Sequence, residues 1–248
     1  MNNFKQILRI RELYNLAEHL CQSENTKRDI TDIAISKIPY VVYPDLDINQ
    51  SLIIHEFAEY LLEKSKNENN HNEVAITYDL DNNLSLKNGF KPILDKAGVC
   101  KGSIDEIDLF SDTQTMSTVY RAKNIAIVNL HNHPSCSSFS VQDISFFLVE
   151  TAVKLMVVIG NNGELYYLSK DLSKYNFENA MKYFTDIPDV IHPNRCKDYE
   201  WNNSELREIA DIFLKSCKEF GIDYKHSLGT NKNLQKEREE GEYDYDDR

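Results

Sequence analysis

Two histidines and an aspartate lie close together in the chain, with a spacing that suits a shared metal ion. His131 and His133 directly follow the largely apolar run 124–130. Side chains two apart in an extended chain point to the same face, so both imidazoles can converge on one cation. Pro134 then ends the predicted strand, because it has no N–H to donate. Asp143 follows ten residues after His133, at the start of a predicted helix.

Two neutral imidazoles and one carboxylate form a ligand set that suits zinc. Three such ligands leave a fourth tetrahedral position for water, which is typical of a catalytic rather than a structural zinc site. The sequence therefore predicts one zinc ion per chain, bound by His131, His133 and Asp143. The same ligand types also suit other first-row ions, so the metal's identity stays open at this point.

Asp143 also has a second interpretation. Ser140 precedes it by three residues, and a Ser-x-x-acid pattern before an apolar run is typical of a helix capping box. In that arrangement Ser140 caps the helix and the carboxylate reaches back to the cap. Taken alone, the local pattern is more often a cap than a metal ligand, but the paired histidines upstream favour the ligand. Both roles can coexist.

The order of these residues resembles the JAMM/MPN metalloprotease family, whose pattern is His-x-His-Pro, a spacer and Ser-x-x-Asp. The run His-Asn-His-Pro-Ser is most similar to the RadC-like bacterial JAB-domain branch of that family. The resemblance covers roughly residues 70–170. Segment 72–83 is similar to the family's glutamate-bearing first strand and turn, and 101–105 to the strand before the family's helix. Segments 155–160 and 164–168 stand where the family's later strands stand.

The resemblance implies a zinc-dependent metallohydrolase, a peptidase or isopeptidase in which a glutamate activates zinc-bound water. Glu73, directly before the apolar segment 74–78, matches the position of that glutamate. The alternative for Glu73 is a solvent-facing residue that begins a strand. Ser140 matches a serine that hydrogen-bonds the substrate or the oxyanion. The substrate class implied is a peptide or an isopeptide-linked protein.

The chain departs from the RadC pattern at two points. Cys136 stands where glycine is usual, and the spacer from His133 to Ser140 is one residue shorter. A thiolate at position 136 could occupy the open metal position, or the cysteine could be a small loop residue. These departures favour a second hypothesis, a catalytically idle metal-binding module that mediates interactions. Two further hypotheses are a RadC-type protein associated with DNA or mobile elements, and a toxin effector with helical flanks.

The composition restricts partners and location. Net charge is −12, with 40 acidic and 28 basic residues, and the basic residues form no stripe. This balance opposes direct nucleic-acid binding, which depends on clustered lysine and arginine. Five scattered cysteines without a C-x-x-C pair are typical of reduced thiols in the cytoplasm. Without a signal peptide or an apolar run of roughly 18 residues, we expect a cytoplasmic protein with no membrane segment, and its oligomeric state stays open.

Alternating strand and helix patterns predict an α/β (α+β) fold. The resemblance implies a deaminase-like, three-layer JAB/MPN core with a mixed sheet. We predict a helical N-terminal region at 1–66, the metal-binding domain at 70–172, a helical C-terminal region at 173–230 and a disordered acidic tail at 231–248. Within the core, we predict strands at 74–78, 104–109 and 125–130, a pairing at 84–86, a helix capped by Ser111 or Asp112, a helix at 141–154 and a hairpin turn at 161–163.

Overall fold

A six-stranded mixed sheet organises the computed structural model, which describes residues 27–104, 106–195 and 199–228. The strands lie in the order β2-β1-β3-β4-β5-β6. Strands β3 and β4 pair in parallel, and every other neighbouring pair is antiparallel. The strands are β1 (Val74–Asp79), β2 (Gly98–Lys101), β3 (Ile127–His133), β4 (Val153–Gly160), β5 (Leu165–Lys170) and β6 (Ile222–Ser227).

Seven α-helices flank this sheet within the described residues. They are α1 (Asp32–Ser36), α2 (Ile48–Glu68), α3 (Lys91–Leu94), α4 (Thr113–Arg121), α5 (Val141–Val149), α6 (Phe177–Ile191) and α7 (Asn203–Ser216). The longest, α2, begins at a capping box in which Asp47 accepts from the N–H of Gln50 and the Gln50 side chain reaches back. None of these helices is long and apolar enough to cross a membrane.

Helices cover both faces of the sheet, and alternate residues of each strand contribute to two different cores. Val128 and Leu130 of β3 pack in the core that contains the buried face of α2. Ile127 packs in the opposite core, together with α5, α6 and α7. Because side chains alternate along a strand, Asn129, His131 and His133 share the face of Ile127 and point towards the α5 side. Burial of both faces explains why β4 is almost continuously apolar.

Several predicted elements are confirmed. Strand β1 begins at Val74, Asp112 caps α4 by accepting from the N–H of Thr115, and α5 begins at Val141. The turn at 161–163 joins the antiparallel strands β4 and β5, and Gly163 has a φ of 86° there. That left-handed conformation is one that glycine adopts without a steric penalty.

Other predictions were wrong. The segment 104–109 contains no strand among its described residues, because the strand that pairs with β1 lies earlier, at Gly98–Lys101. The expected pairing at 84–86 gives way to a short 3-10 turn at Leu86–Asn88. Helix α5 ends at Val149 rather than at residue 154, because Lys154 already belongs to β4.

The region 173–230, predicted to be helical, also contributes the edge strand β6, which pairs with β5. Only Ile222 of β6 is fully buried, so the strand carries little apolar signal in the sequence. Residues 1–26 of the predicted helical N-terminal region and the predicted tail at 231–248 lie outside the described residues. The remaining predicted boundaries between regions stay predictions.

Candidate metal centre

The three predicted ligands converge at the end of β3. His131 Nε2 lies 3.1 Å from His133 Nε2 and 3.0 Å from Asp143 Oδ1, and His133 Nε2 lies 3.4 Å from Asp143 Oδ2. Both histidines are buried, with exposed fractions of 4% and 7%. Within the described part of the chain, this is the one group of three or more histidine, cysteine and acidic side chains whose ligand atoms could share an ion.

The separations between the ligand side chains fit a small tetrahedral ion. Ligands about 2.0–2.1 Å from a tetrahedral zinc ion lie roughly 3.3 Å from one another. Two separations from His131 Nε2 are close to that value, 3.1 Å to His133 Nε2 and 3.0 Å to Asp143 Oδ1. The other carboxylate oxygen, Oδ2, lies 3.4 Å from His133 Nε2, and these three side chains form the ligand triangle. The donor set of two imidazoles and one carboxylate therefore fits zinc in size as well as in chemistry.

The outer nitrogens of both rings face hydrogen-bond acceptors. His133 Nδ1 lies 3.1 Å from the carbonyl oxygen of Ser137, and His131 Nδ1 lies 3.4 Å from Asn129 Oδ1. In the tautomer in which each Nδ1 donates to these oxygens, each Nε2 carries a lone pair. Two lone pairs 3.1 Å apart repel each other unless a proton or a metal ion lies between them. Asn129 and the Ser137 carbonyl thus orient both rings to bind a cation.

The electrostatics of the cluster also favour a positive charge between the two histidines and Asp143. Burial acts to lower the pKa of His133, but the charge of Asp143, with a smaller contribution from Glu73, outweighs burial and raises it to about 9. Burial acts to raise the pKa of Asp143, yet His131 and His133 hold it well below its usual value. Without a metal ion, the cluster therefore retains a proton to balance its carboxylates.

Asp143 forms the predicted capping box and also faces the two histidines. Its backbone N–H donates to Ser140 Oγ over 3.1 Å, while its Oδ2 accepts from the Ser140 N–H and the Ser140 hydroxyl, each over 2.7 Å. The capping box at the start of α5 thus fixes the carboxylate that faces the histidines. The one hydroxyl hydrogen of Ser140 is directed at Asp143, so donation to an oxyanion requires the hydroxyl to turn.

Backbone hydrogen bonds to the segment after β2 hold Glu73 at the same site. Its N–H donates to the Ser103 carbonyl over 2.9 Å, and its own carbonyl accepts from the Gly102 N–H over 2.8 Å. Ala75, two residues later, pairs with His131, and the charge of Glu73 acts on His133. Glu73 is only 7% exposed, unlike a solvent-facing residue at a strand start, and it lines the cavity that contains the three predicted ligands.

Cys136 lies against the β4–β5 turn and is absent from both the ligand group and the cavity lining. Its Cα is 3.2 Å from the position that a Cβ on Gly160 would take, and its φ is 60°. Burial raises the pKa of the Cys136 thiol, partly offset by hydrogen bonding to the backbone of Asn162. The thiol therefore stays protonated and packs on the sheet, which fits the small-loop-residue interpretation better than the metal-ligand one.

Two buried asparagines of β3 support the site and were not singled out from the sequence. Asn129 Nδ2 donates to Thr77 Oγ1 over 3.0 Å, which turns its Oδ1 towards His131. Asn132 accepts from the Val74 N–H over 2.7 Å and donates to Asn161 Oδ1 over 2.8 Å, on the opposite face of the strand. The available signal was the polarity of Asn129 between two apolar residues and of Asn132 between the two histidines, because a buried amide must find partners.

Comparisons with protein-family models, with curated proteins and with solved structures found no match for this chain. The assignment of the site therefore depends on its own geometry and chemistry. Those features are the ligand triangle, the acceptor oxygens that face both imidazole rings and a buried glutamate in the same cavity.

Proposed function

We propose that this protein is a zinc-dependent hydrolase of peptide or isopeptide bonds, of the JAMM/MPN type and related to the RadC-like branch. The observation that carries the proposal is the ligand triangle of His131, His133 and Asp143, with Glu73 buried beside it. A structural site would supply four protein ligands, whereas three leave one position for water. The JAB core is part of the proposal, supported by a mixed sheet with helices on both faces and by the site at the end of β3. We also propose a cytoplasmic location, on the basis of composition.

Each residue of the site has a role that follows from its position. A bound zinc ion supplies a Lewis acid, which makes a nearby water more acidic and polarises a carbonyl. Glu73 accepts the proton of that water and returns it to the leaving amine. His131, His133 and Asp143 hold the metal, and Asn129 and the Ser137 carbonyl keep the two rings in the binding tautomer. Ser140 orients Asp143 and, after its hydroxyl turns, donates to the oxyanion.

The charges around the site argue against nucleic acid as its substrate. Its cavity is lined by four carboxylates and, among the described residues, by no lysine or arginine. A phosphate backbone needs cationic partners, and here it would meet carboxylates instead. The catalytically idle metal-binding module therefore remains the alternative to test against the hydrolase, and Glu73 is the residue that separates the two.

The first experiment measures metal content. We expect about one zinc per chain by elemental analysis of the purified protein, and loss of that zinc in the double variant His131→Ala/His133→Ala. His226→Ala, which removes a histidine of β6 outside the site, serves as the matched control and should retain zinc. A wild-type protein that contains no metal and takes up none from added zinc would contradict the proposal.

The second experiment separates catalysis from metal binding. Glu73→Gln keeps the shape of the side chain but removes the base, so we expect full zinc content and at least a 100-fold loss of peptide or isopeptide cleavage. Loss of zinc in Glu73→Gln would instead make Glu73 part of the metal site. If the zinc-loaded wild type and Glu73→Gln are equally inactive on every amide substrate tried, the idle module is the better description.

A further inference from the structure

The cavity beside the candidate metal centre is lined by two chemically different groups of side chains. Its volume is about 520 Å³, which lies in the usual range of roughly 300–1,000 Å³ for ligand sites. The polar group consists of the ligand triangle with Glu73, Ser140 and Asn129. The apolar group, which forms the apolar wall, consists of Ile104, Ile107, Leu109, Phe110, Phe146 and Met156, and Met156 lies beside Asn129 in the sheet. One cavity thus offers both polar groups and a surface suited to a hydrocarbon or aromatic side chain.

The apolar wall is supported by neighbouring helices. The ring of Phe110 stacks on Tyr120 of α4 with centroids 5.7 Å apart, and it lies 6.1 Å from the ring of Phe146 of α5. Asp108 accepts from the N–H of Phe110 over 3.0 Å and so anchors the loop that carries this ring. The wall is therefore present before any ligand binds, and an apolar side chain entering the cavity would bury its surface against fixed rings.

The charged residues that line the cavity are all acidic within the described part of the chain. Glu73 and Asp143 lie at the metal centre, where one divalent ion would balance both of them. Glu106 and Asp108 lie in the loop of the apolar wall and are exposed, so two negative charges remain at this side of the cavity after a metal binds. A positively charged group on the ligand would complement them.

We propose that the cavity selects substrates in which a bulky apolar side chain lies next to a lysine or arginine. The apolar group would pack against Phe110 and Phe146, and the cation would lie near Glu106 and Asp108. This inference rests on the proposed function for the cleavage step, but binding tests it independently. Leucine, methionine and phenylalanine fit the cavity volume, whereas a glycine at the same place would leave the apolar wall exposed to water.

The experiment measures peptide binding to zinc-loaded Glu73→Gln protein, so that no turnover interferes. The probes are blocked, fluorescently labelled hexapeptides of alanine whose two central residues are leucine–lysine, leucine–glutamate or glycine–lysine. We expect the leucine–lysine peptide to bind about tenfold more tightly than either of the others, because each of them lacks one of the two complementary groups. Its affinity should also fall with added salt, because the charges at the loop are exposed.

Two variants, each made in the Glu73→Gln background, assign the preference to named residues. Glu106→Gln/Asp108→Asn should remove the preference for lysine over glutamate, while the asparagine can still accept from the Phe110 N–H. Glu208→Gln, on the exposed face of α7, is the matched control and should change nothing. Phe110→Ala should remove the preference for leucine over glycine, and Val190→Ala, at an exposed position of α6, is its control.

The outcomes separate this inference from the proposed function. Equal binding of the lysine and glutamate peptides, equal binding of the leucine and glycine peptides, or no binding of any peptide would each overturn the inference. Cleavage of all three peptides by the wild type at similar rates would uphold the hydrolase and overturn the selectivity. Selective binding of the leucine–lysine peptide without cleavage by the wild type would uphold the selectivity and count against the hydrolase.

Discussion

Ser140 and Asp143 hold each other in place at the start of α5, and the same carboxylate faces the two histidines of β3. Asp143 Oδ2 is 2.7 Å from both the backbone nitrogen and the hydroxyl of Ser140, while Oδ1 is 3.0 Å from His131 Nε2. The two interpretations of this aspartate are therefore not competitors. A helix cap places the carboxylate, and the placed carboxylate completes the ligand triangle.

Removal of the Ser140 hydroxyl should weaken both functions of this pair. We expect Ser140→Ala to lower the free energy of unfolding of the zinc-free protein by about 1 kcal/mol, because α5 loses a side-chain cap. We also expect a zinc affinity roughly tenfold lower, because Asp143 loses an orienting donor. Urea unfolding and competition with a chromophoric chelator measure the two effects. Ser140→Thr keeps the hydroxyl and should restore both, and an unchanged zinc affinity in Ser140→Ala would contradict the coupling.

Asn129 should affect the zinc affinity of the site through its contact with His131. Asn129→Leu removes the acceptor that faces His131 Nδ1, and we expect zinc affinity to fall about 10- to 100-fold. Asn129→Asp keeps an acceptor oxygen at the same place, so it should bind zinc at least as tightly as wild type does. Chelator competition on the three proteins gives the order of affinities. Equal affinities for the leucine and aspartate variants would mean that Asn129 serves packing alone.

Cys136 has a φ of 60°, a region that L-residues with a side chain adopt only at a cost. Because glycine has no Cβ, we expect Cys136→Gly to raise the free energy of unfolding by about 1 kcal/mol in urea titrations. Cys136→Ser keeps the Cβ and should not gain this stability. Both variants should retain full zinc content. Loss of zinc in both variants would restore the metal-ligand interpretation of the thiol.

Lys170 is fully buried, and it should make stability depend on pH. Burial, only partly opposed by the charge of Glu150, lowers the pKa of Lys170 to about 7, far below the usual value. The unfolded chain therefore binds a proton between pH 7 and about 10 that the folded chain does not, so stability rises with pH across that window. Below about pH 7 Lys170 is protonated in both states, so its full destabilising effect is present. The residue then contributes nothing to the dependence of stability on pH.

Lys170→Met should remove this slope and stabilise the protein at pH 7 by about 2 kcal/mol, because no ammonium group is then buried. The gain is moderated by loss of the bond from Lys170 Nζ to the Glu150 carbonyl and of its contact with the Phe147 ring. Thermal unfolding of both proteins between pH 6 and about 10 measures the difference. Lys215→Met, at an exposed position of α7, should leave the slope unchanged, and a slope that persists in Lys170→Met would assign it to another group.

Local patterns predicted the elements whose burial is strongest. The apolar run before His131 predicted β3, and the Asn-Asn-Gly turn predicted the β4–β5 hairpin, because in each case the signal lies within a few neighbouring residues. The two edge strands were harder to predict from the sequence. Gly98–Lys101 and Ile222–Ser227 bury few side chains, and their pairing with β1 and β5 comes from distant partners that no local pattern reveals.

The same division holds for the candidate site. The sequence by itself determined the ligand types and the two-residue spacing of His131 and His133, because alternation along a strand is a local property of the backbone. Only the tertiary structure decided that Glu73 lines the same cavity as His133, that Asn129 faces His131 and that Cys136 packs on the β4–β5 turn. These relationships depend on strand register and loop path, which are set by packing between segments far apart in the chain.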